Sequence, residues 1–318
     1  MSGEKRRNDR GMEKLYHSLE ELVKEMFGEG TRIVGTDRVH GGDINDAYRV
    51  NLSSGDPVFV KTNTRKNLRF FLTEARGLRA LGASGKIGVP KILGIGTDEA
   101  RGVSFLALEY IESAPRIESY WETFGHELAG MHRAECLSFV ADADEREKQG
   151  MRYGFWEDNF IGASPQKNQP KEKWTDFYRD CRLLPQITMA EGYLGTDLRK
   201  KADRILERLD SYLREPEFPS LLHGDLWSGN MLCGPDGRAW IIDPAAYVGD
   251  FEADLAMTQL FGSLPSRFYA AYSEANPIDR EGYAERKKLY DLYHLLNHLN
   301  LFGRSYLGSV AAILNIYA

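Results

Sequence analysis

The chain has 318 residues, which suits one large domain or two modest ones and can bury roughly 75% of its unfolded surface without a disulfide or metal staple. Apolar residues at 42% and charged residues at 28% exclude a disordered or fibrous chain. With 41 Lys and Arg against 47 Asp and Glu, the net charge of −6 argues against a diffuse basic footprint for nucleic acid.

In chain order, Met1–Gly11 is polar and basic and lacks the apolar stretch of a secretory signal. Leu15, Leu19, Leu22, Val23 and Met26 recur at helical spacing, so a helix is expected within 12–27. Three strands are then expected at 32–39, 46–52 and 57–62, separated by the turn signals His-Gly-Gly-Asp (40–43) and Ser-Ser-Gly-Asp (53–56). A helix over 67–82 carries Leu68, Phe71, Leu72, Ala75, Leu78 and Leu81 on its apolar face. Two more strands follow at about 91–97 and 103–109. Beyond Ser113 the texture turns helical, with helices expected at about 118–136, 170–190, 197–213, 252–261, 266–275 and 282–302, and a long loop at 141–170. The expected organisation is an extension with a helix (1–29), a nucleotide-binding lobe (30–113) and a catalytic and acceptor lobe (114–318). The first lobe is expected to be a five-stranded antiparallel sheet with one inserted helix, which makes the fold class α+β. Cys136, Cys181 and Cys233 are widely spaced, with no CxxC, which suits a reducing cytosol. No apolar run approaches about 18 residues, so no membrane span is expected.

One β-like island, 220–243, interrupts the helical half and carries His223-Gly224-Asp225-Leu226-Trp227-Ser228-Gly229-Asn230, then Ile242-Asp243-Pro244. Phosphoryl transfer needs an acceptor oxygen to orient the attacking hydroxyl and oxygen ligands for Mg²⁺ on the nucleotide. Asp225 and Asn230, five residues apart, reproduce the spacing of a kinase catalytic loop, and Asp243, after a tight hairpin, returns a second carboxylate. Four fixed identities at these spacings arise by chance in roughly 0.002 of chains this long. Matching parts precede them. Gly41 and Gly42 lie where glycines let backbone N–H groups approach phosphates, although a plain Gly-Gly hairpin turn has the same look. Lys61 ends Val58-Phe59-Val60-Lys61, either as a phosphate-binding lysine or as a solvated charge, and Glu74 on the next helix is its candidate partner. Glu109, Tyr110 and Ile111 would offer backbone groups to adenine, or simply connect the two halves. The order of these parts is the order a kinase requires.

These segments resemble the fructosamine kinase (ketosamine-3-kinase) family, within the protein-kinase-like superfold that also holds aminoglycoside phosphotransferases and choline kinases. The resemblance runs through GGDINDAYRV (41–50), FVKTN (59–63), FLTEARGLRAL (71–81), GFWEDNFIG (154–162), HGDLWSGN (223–230), DPA (243–245), EADLAMTQLFG (252–262) and LYHLLNHLNLFG (292–303). It implies an ATP-dependent, bilobal, cytoplasmic kinase for the 3-hydroxyl of fructosyl- or ribulosyl-amines, free or protein-bound. The phosphorylated product would release its amine, so the implied role is deglycation repair. The resemblance further implies Asp225 as catalytic base, Asn230 and Asp243 as Mg²⁺ ligands, and Lys61 with Glu74 at the ATP phosphates. Trp227 would stack on the sugar amine, and His298 would line the same pocket; a core aromatic and a helix histidine satisfied by its neighbours are the bland readings. His223 and Asp254 would support the loop, with Asp254 accepting its backbone N–H groups. Val248-Gly249-Asp250-Phe251 departs from the family's usual Tyr-Gly-His-Arg, as do Phe261-Gly262-Ser263 and Phe302–Tyr306, with an expected effect on the acceptor side. Two other readings are a kinase for an aminoglycoside or choline-like amine, and a nucleotide-binding pseudokinase. Retention of Lys61, Asp225, Asn230 and Asp243 speaks against the last.

Overall fold

The computed structural model describes residues 14–39 and 44–317. It divides into two compact units, one built from the chain up to Ala75 with Pro90–Ile111, the other from Arg76–Val89 with the chain from Glu112 onward. Each has its own hydrophobic core.

The first unit is a six-stranded sheet of order β1-β5-β6-β4-β3-β2, with β1 Leu15–Tyr16, β2 Ile33–Val39, β3 Asp46–Leu52, β4 Pro57–Thr64, β5 Ile92–Asp98 and β6 Val103–Glu109. Strands β2 to β6 pair antiparallel, so the five strands expected from sequence are present. The sixth corrects the expectation: Leu15, assigned by periodicity to the first helix, instead pairs in parallel with Ile95. The helix begins only at Leu19 because Ser18 caps it, its hydroxyl accepting the Glu21 N–H at 3.1 Å. On β4, Val58 and Val60 point into the core. Strand alternation therefore turns Lys61 to the opposite face.

The second unit is mainly helical. Its helices include Tyr120–His132, Thr196–Glu207, Phe251–Leu260, Ser266–Ala275 and Arg280–Phe302. The segment expected to be a long loop holds a helix, Ala143–Gln149, and a hairpin, β7 Asn159–Ile161 with β8 Ser164–Gln166. The expected helix at 170–190 starts at Trp174 and passes through a π-turn at Arg179–Leu183. A final helix, Leu307–Tyr317, went unread, although Val310, Ile313 and Leu314 supply its buried face. The island and the strand just after it form two small antiparallel pairs, β9 Ser220–Leu222 with β12 Tyr247–Gly249, and β10 Met231–Cys233 with β11 Ala239–Ile241. Among the described residues, no helix is long and apolar enough to cross a membrane.

Candidate active site

In the first unit, Lys61 is buried at 5% exposure and its Nζ lies 2.7 Å from Glu74 Oε1. The pair joins β4 to the helix Leu68–Ala83. A solvated charge at a strand end would not be buried, so that bland reading fails. Burying both charges is costly unless they meet, and the pairing fixes where the ammonium sits. At the end of β6, the Glu109 N–H is already donated to Lys91 O at 2.8 Å, and its carboxylate accepts the Lys91 N–H at 3.2 Å. That N–H is therefore committed within the first unit. Tyr110 and Ile111 lie outside regular structure and are half-buried, the Tyr110 ring beneath the Arg49 guanidinium at 4.9 Å. Gly41 and Gly42 fall outside the described residues.

In the second unit, β9 runs straight into the His223-Gly224-Asp225 turn. Gly224 has φ of 80°, and a Cβ there would overlap the Ala245 carbonyl, so only glycine fits. His223 is fully buried. Its Nε2 contacts the Ile242 carbonyl at 2.8 Å, so that nitrogen carries the proton, and Nδ1 accepts the Asp225 N–H at 3.2 Å. Burial lowers its pKa, which keeps the ring in the neutral tautomer this bridge requires. Asn230 donates its amide to the Asp225 carbonyl at 2.8 Å and to Asp225 Oδ2 at 3.1 Å, closing the loop on itself. Loss of hydration is the main reason the Asp225 carboxyl is pushed up to about 7; the Asn230 amide opposes the shift and the Asp243 charge adds to it.

Asp243 is the one non-glycine with positive φ, 58°, among the described residues. Such a conformation costs about 1–3 kcal/mol and persists only where its surroundings over-determine it. Here they do. The Ile242 N–H donates to Asn230 O at 3.1 Å, and the Ala245 N–H donates to His223 O at 2.9 Å. Gln166 donates to Ala245 O at 3.0 Å and Asn159 to Ala246 O at 2.9 Å.

Asp254, fully buried on the helix Phe251–Leu260, lies under the turn. Its Oδ2 accepts the His223 N–H at 2.7 Å, and its Oδ1 accepts the Gly224 N–H at 2.8 Å. His132 approaches the same carboxylate at 3.2 Å. Burial alone would raise this acid, yet the hydrogen bonds from His132 and from the Gly224 N–H hold it below the ordinary aspartate value.

Sequence reasoning missed His132 and the hairpin residues Asn159 and Gln166. Nothing in the spacing marks His132, which lies 91 residues before His223. Arg182 was also missed. It is fully buried, held by Lys167 O at 2.5 Å and Asn168 Oδ1 at 2.9 Å, with its guanidinium 3.8 Å from the centre of the Tyr247 ring.

Trp227 is 39% exposed and lies over Gly229, where a Cβ would strike the indole, so it is not a core aromatic. His298 is half-buried, and its Nδ1 lies 2.8 Å from His294 O. Around it stand Phe261, Tyr306 and Phe302, with ring centres at 4.6, 5.1 and 5.4 Å. Val248, Asp250 and Phe251 are buried, and Asp250 accepts the Glu252 N–H at 3.0 Å and the Tyr290 hydroxyl at 2.8 Å. That departure therefore serves the core and caps a helix.

No group of three or more His, Cys, Asp or Glu among the described residues is placed to hold a metal ion. Mg²⁺ bound with a nucleotide takes one or two protein oxygens together with phosphate oxygens and water. Asn230 and Asp243 fit that demand. Because the Asn230 nitrogen is committed to Asp225, its Oδ1 is the atom left to face a cation.

A probable ketoamine kinase from Synechocystis is 36% identical over 293 residues, 92% of each chain. A chloroplastic protein-ribulosamine 3-kinase from Oryza sativa subsp. indica is 36% identical across 91% of this chain and 80% of its own. A crystal structure from Haemophilus somnus, described as a fructosamine-3-kinase, superposes with a TM-score of 0.81 at 29% identity, covering 95% of this chain and 97% of that one. More distant kinases share the protein-kinase-like fold alone. The model of one family, fructosamine kinase, matches residues 15–317, a span that contains the Lys61–Glu74 pair, the Asp225–Asn230 loop and the strained Asp243. With that coverage, the chain belongs to the fructosamine kinase family.

Proposed function

We propose that this protein is an ATP-dependent kinase that phosphorylates the 3-hydroxyl of ketosamines such as ribulosyl- and fructosyl-amines. The observation that carries the reading is the Asp225–Asn230 hydrogen bond inside a turn anchored by Asp254. It presents one carboxylate at the end of a rigid loop, the arrangement needed to orient an attacking hydroxyl. Asp225 accepts the hydroxyl proton as that oxygen forms its bond to the γ-phosphorus and the bond to the ADP oxygen breaks. A carboxyl poised near neutrality suits general-base work. Asn230 and Asp243 would hold Mg²⁺, which supplies positive charge to the nucleotide phosphates. Lys61, positioned by Glu74, adds a fixed cation for those phosphates. Release of the amine from the phosphorylated sugar would make the activity a repair of glycated amines.

A coupled ATPase assay over ribulosyl-lysine, fructosyl-lysine, an aminoglycoside and choline tests this. Turnover with the two ketosamines is expected; turnover confined to the aminoglycoside or choline would overturn the substrate class, and none at all would favour a pseudokinase.

Trp227 separates ketosamines from other acceptors. Its exposed indole, two residues from Asp225, suits the C–H face of a sugar and a secondary ammonium, a contact worth about 0.5–2 kcal/mol. Trp227→Ala is expected to raise the acceptor KM by roughly 2- to 30-fold, leaving the ATP KM and melting temperature near wild type. An unchanged acceptor KM in a folded variant would remove the stacking role.

A further inference from the structure

The first unit holds a second cation on the sheet face that carries Lys61. Val50 and Leu52 on β3, and Val58 and Val60 on β4, point into the core of that unit. Side chains alternate across a strand, so Arg49 and Phe59 stand on the opposite face, together with Lys61. Across the ladder Arg49 pairs with Phe59, and Ala47 pairs with Lys61. Arg49 therefore lies two residues further along the sheet than Lys61, about 7 Å. The step runs towards the end where Glu109 pairs with Val58 and Tyr110 follows.

Arg49 is half-buried, and its guanidinium lies over the Tyr110 ring at 4.9 Å. A guanidinium over a ring spends its flat face there and keeps its N–H donors in the plane. Its Nε is shut off from solvent and has no acceptor. Arg49 forms no ion pair among the described residues. A buried donor left without an acceptor is destabilising, and packing on Tyr110 alone would be served by a lysine, which has no such N–H in its stem. The row beside Arg49 is apolar, with Phe59 opposite and Leu108 beyond it. An apolar row with one directed donor suits a nucleoside, whereas phosphates call for converging N–H groups and cations.

We propose that Arg49 binds the nucleoside part of the nucleotide, its Nε–H donating to an oxygen of the ribose or a ring nitrogen of the base while Tyr110 holds the guanidinium flat. Lys61 serves the phosphates, two residues away along the same face. This inference rests on the ATP-dependent kinase reading above.

The test is calorimetric titration of the full chain with adenosine, ATP and inorganic tripolyphosphate, the last two with Mg²⁺. Arg49→Met, which removes every donor, is expected to weaken adenosine and ATP by the same factor and to leave tripolyphosphate at its wild-type affinity. The factor is roughly 10- to 100-fold, the range of one hydrogen bond from a charged donor. Arg49→Lys keeps the charge but not the Nε–H, and is expected to show the same pattern. Adenine as a further ligand separates the two sources of the acceptor: a loss shared by adenine places it on the base, and a loss confined to adenosine and ATP places it on the ribose. Unchanged adenosine affinity in either variant overturns the assignment. So does an equal loss for adenosine, ATP and tripolyphosphate, which is what a merely structural role produces. A wild-type protein that binds neither adenosine nor ATP overturns instead the ATP reading on which the assignment depends.

Discussion

Replacing Asp225 by alanine is expected to lower kcat by about 10²–10⁴, with nucleotide affinity close to wild type. The size follows from the role proposed for this side chain, which orients the acceptor hydroxyl and takes its proton. The selectivity follows from geometry. Asp225 exchanges hydrogen bonds with Asn230 and His223 within the loop, whereas the cation assigned to the nucleotide phosphates is Lys61, held by Glu74 in the first unit. Steady-state kinetics with ribulosyl-lysine, together with equilibrium titration of a fluorescent ATP analogue, measure the two quantities separately. A variant that loses nucleotide affinity in parallel with kcat would mean that Asp225 acts on the nucleotide and not on the acceptor. Asp243→Ala provides the contrast, because a lost Mg²⁺ ligand should weaken Mg²⁺-dependent nucleotide binding as well.

Asp254→Ala is expected to damage stability and activity together. The substitution strands the His223 and Gly224 N–H groups in a buried site, at about 1–3 kcal/mol each, and removes the partner of His132. A loss of about 2–6 kcal/mol is therefore expected in urea unfolding, and the surviving folded protein should turn over slowly because its catalytic turn is no longer pinned. Asp254→Asn, which keeps one acceptor oxygen, should fall between the variant and wild type. The pH dependence supplies a second readout. The folded carboxyl is held below its ordinary value, so its contribution is fully present above about pH 3.9, the unfolded value, and is lost as pH falls through the folded one. Unfolding midpoints measured from pH 7 to pH 3 should show that acid-labile component in wild type and not in Asp254→Ala. Wild-type stability in the alanine variant would remove the anchoring role.

The comparison of Leu15 with the HGDLWSGN segment shows what could be read in advance. Periodicity placed β2 to β6 within a residue or two, because alternation of β-branched residues between Gly-rich turns is a local signal. It misplaced Leu15 because two residues pairing in parallel with Ile95 depend on a strand some 80 positions away. The loop at 141–170 was misread for the same reason. Its Gly, Pro, Asn and Gln look like solvated chain, yet Asn159, Gln166 and Asn168 are buried, their amides spent on one another and on the Ala245–Ala246 carbonyls.

The fold class was legible in the residues alone, and so were the candidate parts of the site. Asp225, Asn230 and Asp243 sit in one contiguous island whose spacing is set by a turn and a hairpin, both local structures. Asp254 was marked only by the family resemblance; it lies in the first turn of the helix Phe251–Leu260. Tertiary structure alone decided what holds these parts in place and how each is charged. The ion pair that buries Lys61, the neutral tautomer of His223, the restrained positive φ of Asp243 and the placement of His132 under the turn all come from contacts between segments distant in sequence. So does the packing of Phe261 against the His298 ring. The physical reason is range: dihedral preference and periodicity act over a few residues, whereas desolvation and the pairing of buried polar groups depend on whatever the fold packs against them.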